Sequence, residues 1–202
     1  MTEQQIRSLS EARRAVEDCR RCPLYRNATQ AVFGEGPAYA SLVFVGEQPG
    51  HEEDLAGRPF VGPAGRLFDQ ILDEVGIDRT AVYVTNAVKH FKFVPRGKRR
   101  LHQRPDGDEI RACKFWLDLE VTLVSPKIIV ALGATAAKSL LGRASVTIGR
   151  LRGAPIAMEG GPLLFVTNHP SYLLRIPDAE GRRRERLKFE ADLALVRQTL
   201  ER

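Results

Sequence analysis

The sequence predicts an α/β fold, built as a three-layer α-β-α sandwich around a mostly parallel central sheet. Short apolar, β-rich runs alternate along the chain with segments whose apolar residues recur at helical spacing. The resulting order, β-α-β-α-β-α-β-α, is typical of a parallel sheet with helices on both faces. No repeat, low-complexity tract or linker interrupts the 202 residues, so we expect one domain over residues 1–202.

Four strands are expected, each a short apolar run bounded by turn residues, at residues 41–46, 81–88, 127–133 and 162–168. Four helices are expected at residues 63–75, 108–124, 134–141 and 182–200. Pro63 suits the first turn of the first helix, and Gly76 suits the position after its last turn. The second helix has one apolar stripe, formed by Ile110, Cys113, Trp116, Leu117 and Val121.

The composition is that of an ordinary soluble protein, with 43% hydrophobic and 28% charged residues. No apolar run approaches the roughly 20 residues that span a bilayer. The N-terminal sequence MTEQQIRSLSEARRAVEDC is too polar for a signal peptide. We therefore expect a cytoplasmic protein without a membrane partner, and we expect a monomer.

The net charge of +6, from 31 basic and 25 acidic side chains, favours a polyanionic partner. Basic residues concentrate between positions 89 and 104, where no acidic residue occurs: Lys89, Lys92, Arg96, Lys98, Arg99, Arg100 and Arg104. Such a run is either a solvated loop or a surface for phosphate, and its charge alone does not separate the two.

Polar side chains follow three of the predicted strands. Glu47 and Gln48 come after the first strand, Asn86 lies at the end of the second, and His169 follows the last. Because ligands of parallel sheets bind beyond the carboxyl ends of the strands, we expect these four residues to meet at one edge. The segment GEQPGHEEDLAGRPFVGPAG at residues 46–65 is rich in glycine and proline, which predicts a tightly turned loop that approaches a ligand closely.

Three cysteines in a cytosolic chain do not make a disulfide framework, which leaves free thiols or a metal site. Cys19 and Cys22 have the spacing of metal ligands, and Cys113 lies on a predicted helix far downstream. Three thiolates need a fourth ligand to complete a metal site.

Several of these segments together resemble the uracil-DNA glycosylase superfamily, nearest the iron-sulfur-containing family-four enzymes. They are GEQPG, ED and GRPFVGPAG within residues 46–65, TNAVKH at 85–90 and HPS at 169–171. The resemblance extends from Cys19 to about Arg175. GEQPG and the inserted loop GKRRLH at 97–102 resemble the UdgX type, with Leu101 where isoleucine is typical. His51 stands where that type has an acidic residue, and no role is predicted for it.

The resemblance implies that the protein excises uracil from DNA and that His102 then bonds to the abasic sugar. A neutral imidazole held closer than water adds to the electron-poor carbon. Lys98, Arg99 and Arg100 are expected to keep His102 unprotonated and to hold phosphate. Without the resemblance, the preferred interpretation of His102 is one more loop residue that contacts phosphate.

Further roles follow from the resemblance for the residues at the sheet edge. Phe60 would stack on the flipped base, and the Asn86 amide would match O4 and N3–H of uracil. As alternatives, Phe60 is a core residue and Asn86 a turn former. Glu47 would provide a carboxylate near C1′ and His169 a donor near O2.

Two residues are predicted for the surroundings of this site. Gln48 would bind uracil or position the loop. Arg175 would lie on a helix-opening loop that enters the minor groove. The expected partner is uracil-containing DNA, single-stranded, with double-stranded DNA left open.

For the metal, the resemblance places the fourth ligand slot at His90. The implied set is Cys19, Cys22, His90 and Cys113, and the implied cofactor is a 4Fe-4S cluster. Its expected role is to pin the N-terminal segment and the basic loop rather than redox chemistry. On ligand types alone, zinc fits equally well.

Two rival functions remain. The first is a conventional family-four glycosylase that turns over, and the second is a non-catalytic metal-containing module that binds nucleic acid.

Overall fold

A computed structural model of the protein describes residues 6–202. Its main sheet consists of five strands, β1 (Leu42–Gly46), β2 (Tyr83–Asn86), β5 (Ile128–Leu132), β6 (Ile156–Ala157) and β7 (Leu163–Thr167). They are arranged in the order β2-β1-β5-β7-β6. The four long strands are parallel, and only the two-residue edge strand β6 is antiparallel. All four predicted strands therefore form, and the mostly parallel sheet is confirmed.

A separate antiparallel hairpin joins β3 (Phe93–Arg96) to β4 (Arg99–His102). The sequence did not predict this hairpin. It lies inside the basic run and pairs His102 with Phe93 at the open end of the hairpin, away from its turn.

Eight helices are present in residues 6–202, in addition to short 3-10 helices at Pro23–Arg26 and Arg79–Ala81. The four predicted ones are α3 (Pro63–Glu74), α4 (Gly107–Val124), α5 (Ala134–Leu141) and α8 (Ala179–Leu200). The others are α1 (Leu9–Glu17), α2 (His51–Ala56), α6 (Ile148–Leu151) and α7 (Pro170–Arg175). Over the same residues, no helix is long and apolar enough to cross a membrane.

The main sheet is covered on both faces, as the three-layer prediction requires. Alternate residues of β1 point to opposite sides because the side-chain period of a strand is two. Phe44 packs with Phe68 of α3 and Phe189 of α8 in one buried cluster. Val45 belongs to a second cluster, on the other side, with Leu117 of α4.

The N-terminal helix α1 packs against α4 and extends this second layer. Their contact forms a third buried cluster that contains Val16, Cys19, Cys113 and Trp116. Packing therefore brings the cysteines of the N-terminal segment next to the cysteine of α4.

The basic run between positions 89 and 104 is not one solvated loop, because Lys89 is fully buried. Its ammonium pairs with the buried carboxylate of Glu120 on α4 and donates to Thr85 Oγ1 (2.7 Å) and to the Asn86 carbonyl (2.7 Å). Glu120 also accepts from the Tyr83 hydroxyl at 3.0 Å. This network ties α4 to β2 just below the predicted site.

Candidate active site

The carboxyl ends of β1 and β2 lie side by side and stay in register beyond the strands. Gly46 is paired with Asn86, and the N–H groups of Ala87 and Val88 donate to the carbonyls of Gly46 and Glu47 at 2.9 and 3.0 Å. The backbone on both sides of Glu47 and Asn86 is therefore fixed by main-chain hydrogen bonds.

Asn86 and Phe60 meet above Gly46. A Cβ on Gly46 would lie 2.3 Å from Asn86 Oδ1 and 2.8 Å from Phe60 Cζ, so only glycine fits there. The Phe60 ring is stacked with the His169 imidazole, with ring centroids 6.1 Å apart, and it also contacts Phe68 of the core. Within residues 6–202, the Asn86 amide has no hydrogen-bond partner. Its donor and acceptor are therefore available to a ligand.

Two roles were left open for Phe60, stacking on a base and packing in the core, and its position is compatible with both. It is buried and belongs to the core cluster, yet one ring face lies against a predicted site residue. Its φ of 57° places it in the left-handed region, which is uncommon for a bulky residue and marks a constrained position.

Glu47 is held between α5 and the hairpin. Thr135 Oγ1, in the first turn of α5, donates to Glu47 Oε2 at 2.6 Å. The other carboxylate oxygen, Oε1, lies 3.4 Å from His102 Nε2. The side chain of His102 is 50% exposed, so it lines the open side of the site. No role was predicted for Thr135, although it follows β5 at the same sheet edge and the rule that selected Glu47 applies to it.

Burial lowers the pKa of His102 below its ordinary value of 6.5, and the nearby Glu47 carboxylate opposes that shift. The cations that lower the pKa further are Arg175 and Arg104. The expectation that Lys98, Arg99 and Arg100 keep this imidazole neutral is therefore wrong in its choice of cations.

His169 is oriented by the start of α7. Its Nδ1 accepts from the Ser171 N–H at 3.1 Å and lies 2.9 Å from Ser171 Oγ, which in turn accepts from Arg175 Nη1 at 3.0 Å. Burial lowers the pKa of His169 to about 4, and the charges of Arg175 and His102 act in the same direction. A neutral ring that accepts at Nδ1 has its proton on Nε2, so His169 presents an N–H donor.

Gln48 fastens the β3–β4 hairpin to the end of β1. Its Nε2 donates to the carbonyls of Lys92 at 3.2 Å and Gln103 at 2.9 Å, and its Oε1 accepts from the Lys92 N–H at 3.0 Å. Both amide hydrogens are used, which argues against Gln48 as a uracil ligand. The alternative, that Gln48 positions a loop, agrees with these contacts.

Arg100 ties the hairpin to α2. Its guanidinium donates to the buried Asp54 carboxylate at 2.6 Å and to His51 Nδ1 at 2.9 Å, and it lies over the Phe93 ring. These contacts argue against the prediction that Arg100 binds phosphate. They also give His51 a role that was not predicted, as an acceptor that helps to hold this guanidinium.

The other predicted DNA-binding cations are exposed. Lys98 and Arg99 lie at the turn of the hairpin, and neither has an ion-pair partner within residues 6–202. Arg175 is also exposed, but it is the last residue of α7 rather than part of a loop. The expected loop is helical because Pro170 suits a first helical turn and His169 caps it.

The three cysteines are free thiols gathered between α1 and α4. Trp116 Nε1 donates to Cys19 Sγ at 3.1 Å and the Lys89 N–H donates to Cys113 Sγ at 3.2 Å. Burial raises the pKa of Cys113 to about 12, and the charges of Cys22 and Cys19 act in the same direction. Cys19 and Cys113 belong to one buried cluster, and Cys22 packs against it.

The predicted ligand set fits a metal in its chemistry but not fully in its spacing. Cysteine thiolates hold iron-sulfur clusters, and hydrogen bonds to their sulfurs tune the reduction potential. His90 is buried, and desolvation lowers its pKa to about 4, so its imidazole is neutral. Over the described part of the chain, however, no three His, Cys, Asp or Glu side chains are arranged to hold a metal ion. The ligand set therefore stays a prediction.

Comparison with known proteins identifies the family. The model of the uracil DNA glycosylase superfamily matches residues 33–194. The chain belongs to this superfamily. A Type-4 uracil-DNA glycosylase of Thermotoga maritima is 45% identical over 168 residues, which cover 83% of this chain and 84% of the relative. A Type-4 uracil-DNA glycosylase of Sulfurisphaera tokodaii is 37% identical over 196 residues, covering 94% and 86%.

A third relative, a Type-4 uracil-DNA glycosylase of Pyrobaculum aerophilum, is 34% identical over 197 residues, covering 93% of this chain and 92% of the relative. The predictions of a family-four-like member, of its fold and of an enzyme of the glycosylase type are confirmed. The UdgX type and the bond to His102 stay predictions, because the relatives have the Type-4 name.

Proposed function

We propose that this glycosylase removes uracil from DNA and that His102 then bonds to the sugar left behind. The observation that carries the proposal is the 3.4 Å contact between His102 Nε2 and Glu47 Oε1, at the same end of the sheet as Asn86. If Glu47 lies beside C1′, as its predicted role requires, the His102 imidazole lies on the same side of the sugar and is placed to compete with water.

Uracil recognition rests on Asn86 and Phe60. The free amide of Asn86 donates to O4 and accepts from N3–H, while cytosine would leave both groups facing the wrong partner. The Phe60 ring gives the flipped base a stacking surface, an interaction of about 1–3 kcal/mol per base in single-strand binders. A Cβ on Gly46 would clash with both side chains, so the glycine is required for Asn86 and Phe60 to keep these positions.

Cleavage breaks the bond between C1′ and N1, and its electron pair leaves with uracil. The Nε2–H of His169 donates to O2, where the negative charge develops, and the Glu47 carboxylate stabilises the positive charge on the sugar. The lowered pKa of His169 keeps the ring neutral at pH 7. His169 therefore acts as a neutral hydrogen-bond donor to O2 while the base departs.

Capture follows when the lone pair of His102 Nε2 forms a bond to C1′. The resulting imidazolium releases its proton from Nδ1 to solvent, and the uracil anion takes a proton from solvent. The lowered pKa of His102 favours the neutral, nucleophilic form at pH 7. We assign DNA phosphate contacts to Lys98, Arg99 and Arg175, with single strands as the expected substrate and double strands left open.

Cys19, Cys22, His90 and Cys113 would hold the 4Fe-4S cluster that the resemblance implies. The cluster would supply no step of base removal and would stabilise the packing of the N-terminal segment on α4. Zinc is the alternative metal. A brown preparation with visible absorption supports iron and sulfur, and a colourless active one contradicts them.

A conventional enzyme that turns over is the second candidate, because the relatives are named Type-4 uracil-DNA glycosylases. A labelled oligonucleotide with one uracil, run on a denaturing gel after boiling in detergent, separates the two. Capture predicts a shifted protein–DNA band with the wild type and none with His102→Ser, while the variant still releases uracil.

The neighbouring Gln103→Ser variant is the matched control, because Gln103 contacts Gln48 through its backbone only. It should keep the shifted band. A band that persists in His102→Ser, or a wild type that forms no band while releasing uracil, contradicts capture by His102. A wild type that releases no uracil supports the non-catalytic module instead.

A further inference from the structure

Thr135 is a polar residue at the carboxyl edge of the sheet to which neither the sequence motifs nor the proposed reaction gives a task. It is buried in the first turn of α5, and its hydroxyl donates to Glu47 Oε2 at 2.6 Å. A hydrogen bond of this length to a carboxylate is a charge-assisted one, which is stronger than a bond between neutral groups.

The bond determines which oxygen of Glu47 faces the site. With Oε2 taken by Thr135, Oε1 is the oxygen left to contact His102, at 3.4 Å. The backbone of Glu47 is fixed separately, because its carbonyl accepts from the Val88 N–H. The side chain would otherwise rotate freely about its terminal torsion, so Thr135 supplies the missing constraint.

The turn that carries Thr135 also contacts the second predicted catalytic histidine. A Cβ on Gly133 would lie 3.2 Å from the Cβ of His169, and the Gly133 N–H donates to the Thr167 carbonyl at 2.8 Å. The junction between β5 and α5 therefore touches both sides of the site without contributing a group that reacts.

We propose that Thr135 is a positioning residue that holds the Glu47 carboxylate in the orientation required for bond cleavage and for its contact with His102. This inference rests on the proposed function, because it gives Thr135 a task only if Glu47 acts on the sugar. Thr135 itself touches neither substrate nor the reacting atoms.

Two substitutions separate this role from a structural one. Thr135→Val keeps the shape of the side chain and removes the hydroxyl, whereas Thr135→Ser keeps the hydroxyl and removes a methyl group. Single-turnover excision, measured over a range of protein concentrations, gives a maximal rate and a half-saturating concentration for each variant. Thermal melting verifies that both variants are folded.

We expect Thr135→Val to lower the maximal rate about 10- to 100-fold, the rate equivalent of losing a hydrogen bond to a charged group. Its half-saturating concentration should stay within about twofold of the wild type, because Thr135 does not contact DNA. Thr135→Ser should restore the rate to within about threefold.

Three results overturn the inference while leaving the proposed function intact, provided that the wild type releases uracil. They are a Thr135→Val rate equal to that of the wild type, an equal loss in the serine variant, and a change in the half-saturating concentration alone. If Thr135→Val is unfolded, the Thr135→Ser variant is the test. It must then be folded, and its maximal excision rate must be close to that of the wild type. A wild type that releases no uracil overturns both proposals.

Discussion

Replacing Lys89 should destabilise the fold far more than replacing an exposed lysine. In Lys89→Met, the Glu120 carboxylate keeps its hydrogen bonds from Thr85, Tyr83 and the Gly34 N–H but loses its cationic partner. Breaking one side of a buried ion pair costs about 3–5 kcal/mol because a buried charge is left uncompensated. The retained donors favour the lower part of that range.

For a domain of this size, 1 kcal/mol corresponds to roughly 2–4 °C in melting temperature, so a loss of about 3–5 kcal/mol lowers it by about 6–20 °C. Lys114→Met is the matched control, since Lys114 forms an exposed pair with Asp118 on the same helix as Glu120. That pair contributes at most about 0.5 kcal/mol.

The assay is thermal unfolding of the two methionine variants and the wild type, followed by circular dichroism under one buffer condition. If Lys89→Met melts within about 2 °C of Lys114→Met, the Lys89–Glu120 pair does not stabilise the fold as argued. Lys89 also donates to the Asn86 carbonyl at 2.7 Å, so the folded fraction of the variant should excise uracil more slowly as well.

Two further predictions concern the site itself. Gly46→Ala should lower the rate of uracil excision about 100-fold, because the new methyl group would displace Asn86 or Phe60 by about 1 Å. Gly149→Ala is the control and should leave the rate unchanged, because a Cβ there meets open space. Equal rates in the two variants would contradict the predicted roles of Asn86 and Phe60. Capture by His102 should decrease toward acid pH, and the decrease should begin at a lower pH than for an ordinary histidine, since burial lowers the pKa of this imidazole and only the neutral ring is nucleophilic. Crosslinking is quantified on denaturing gels, and a yield that increases toward acid pH would exclude the neutral ring as the nucleophile.

The four main strands and four of the helices could be predicted from the sequence because burial of one or two faces leaves a periodic apolar pattern. The hairpin of β3 and β4 could not. Its residues include Pro95 and four basic side chains, so it has neither the alternation nor the composition of a strand. The hairpin is instead held by contacts with other elements, through Gln48 at its base and through the bond from Arg100 to Asp54 of α2.

The positions of charged residues were the least predictable part of the site. Lys89 belongs to a basic run in the sequence, but its partner Glu120 lies 31 residues downstream on α4, and no spacing rule connects the two. Asp54 is likewise grouped with the acidic residues of the loop at 46–65, yet it is buried and paired with Arg100. These charged side chains are buried because each has an oppositely charged partner, and the tertiary fold determines which residues become partners.

The attachment of the hairpin bears on whether a histidine can outcompete water. Gln48 holds both ends of the hairpin, and Arg100 holds its middle through Asp54 and His51. Much of the conformational entropy that His102 would lose on reaching the sugar is therefore already lost in the folded protein. Well-oriented intramolecular nucleophiles reach effective molarities of about 10⁵–10⁸ M, so even an imperfectly aligned imidazole exceeds the concentration of bulk water. Loosening the hairpin with Arg100→Ala should accordingly shift the outcome from captured sugar toward free abasic DNA while uracil release continues. A variant that captures as completely as the wild type would show that the anchoring of the hairpin is not what favours histidine over water.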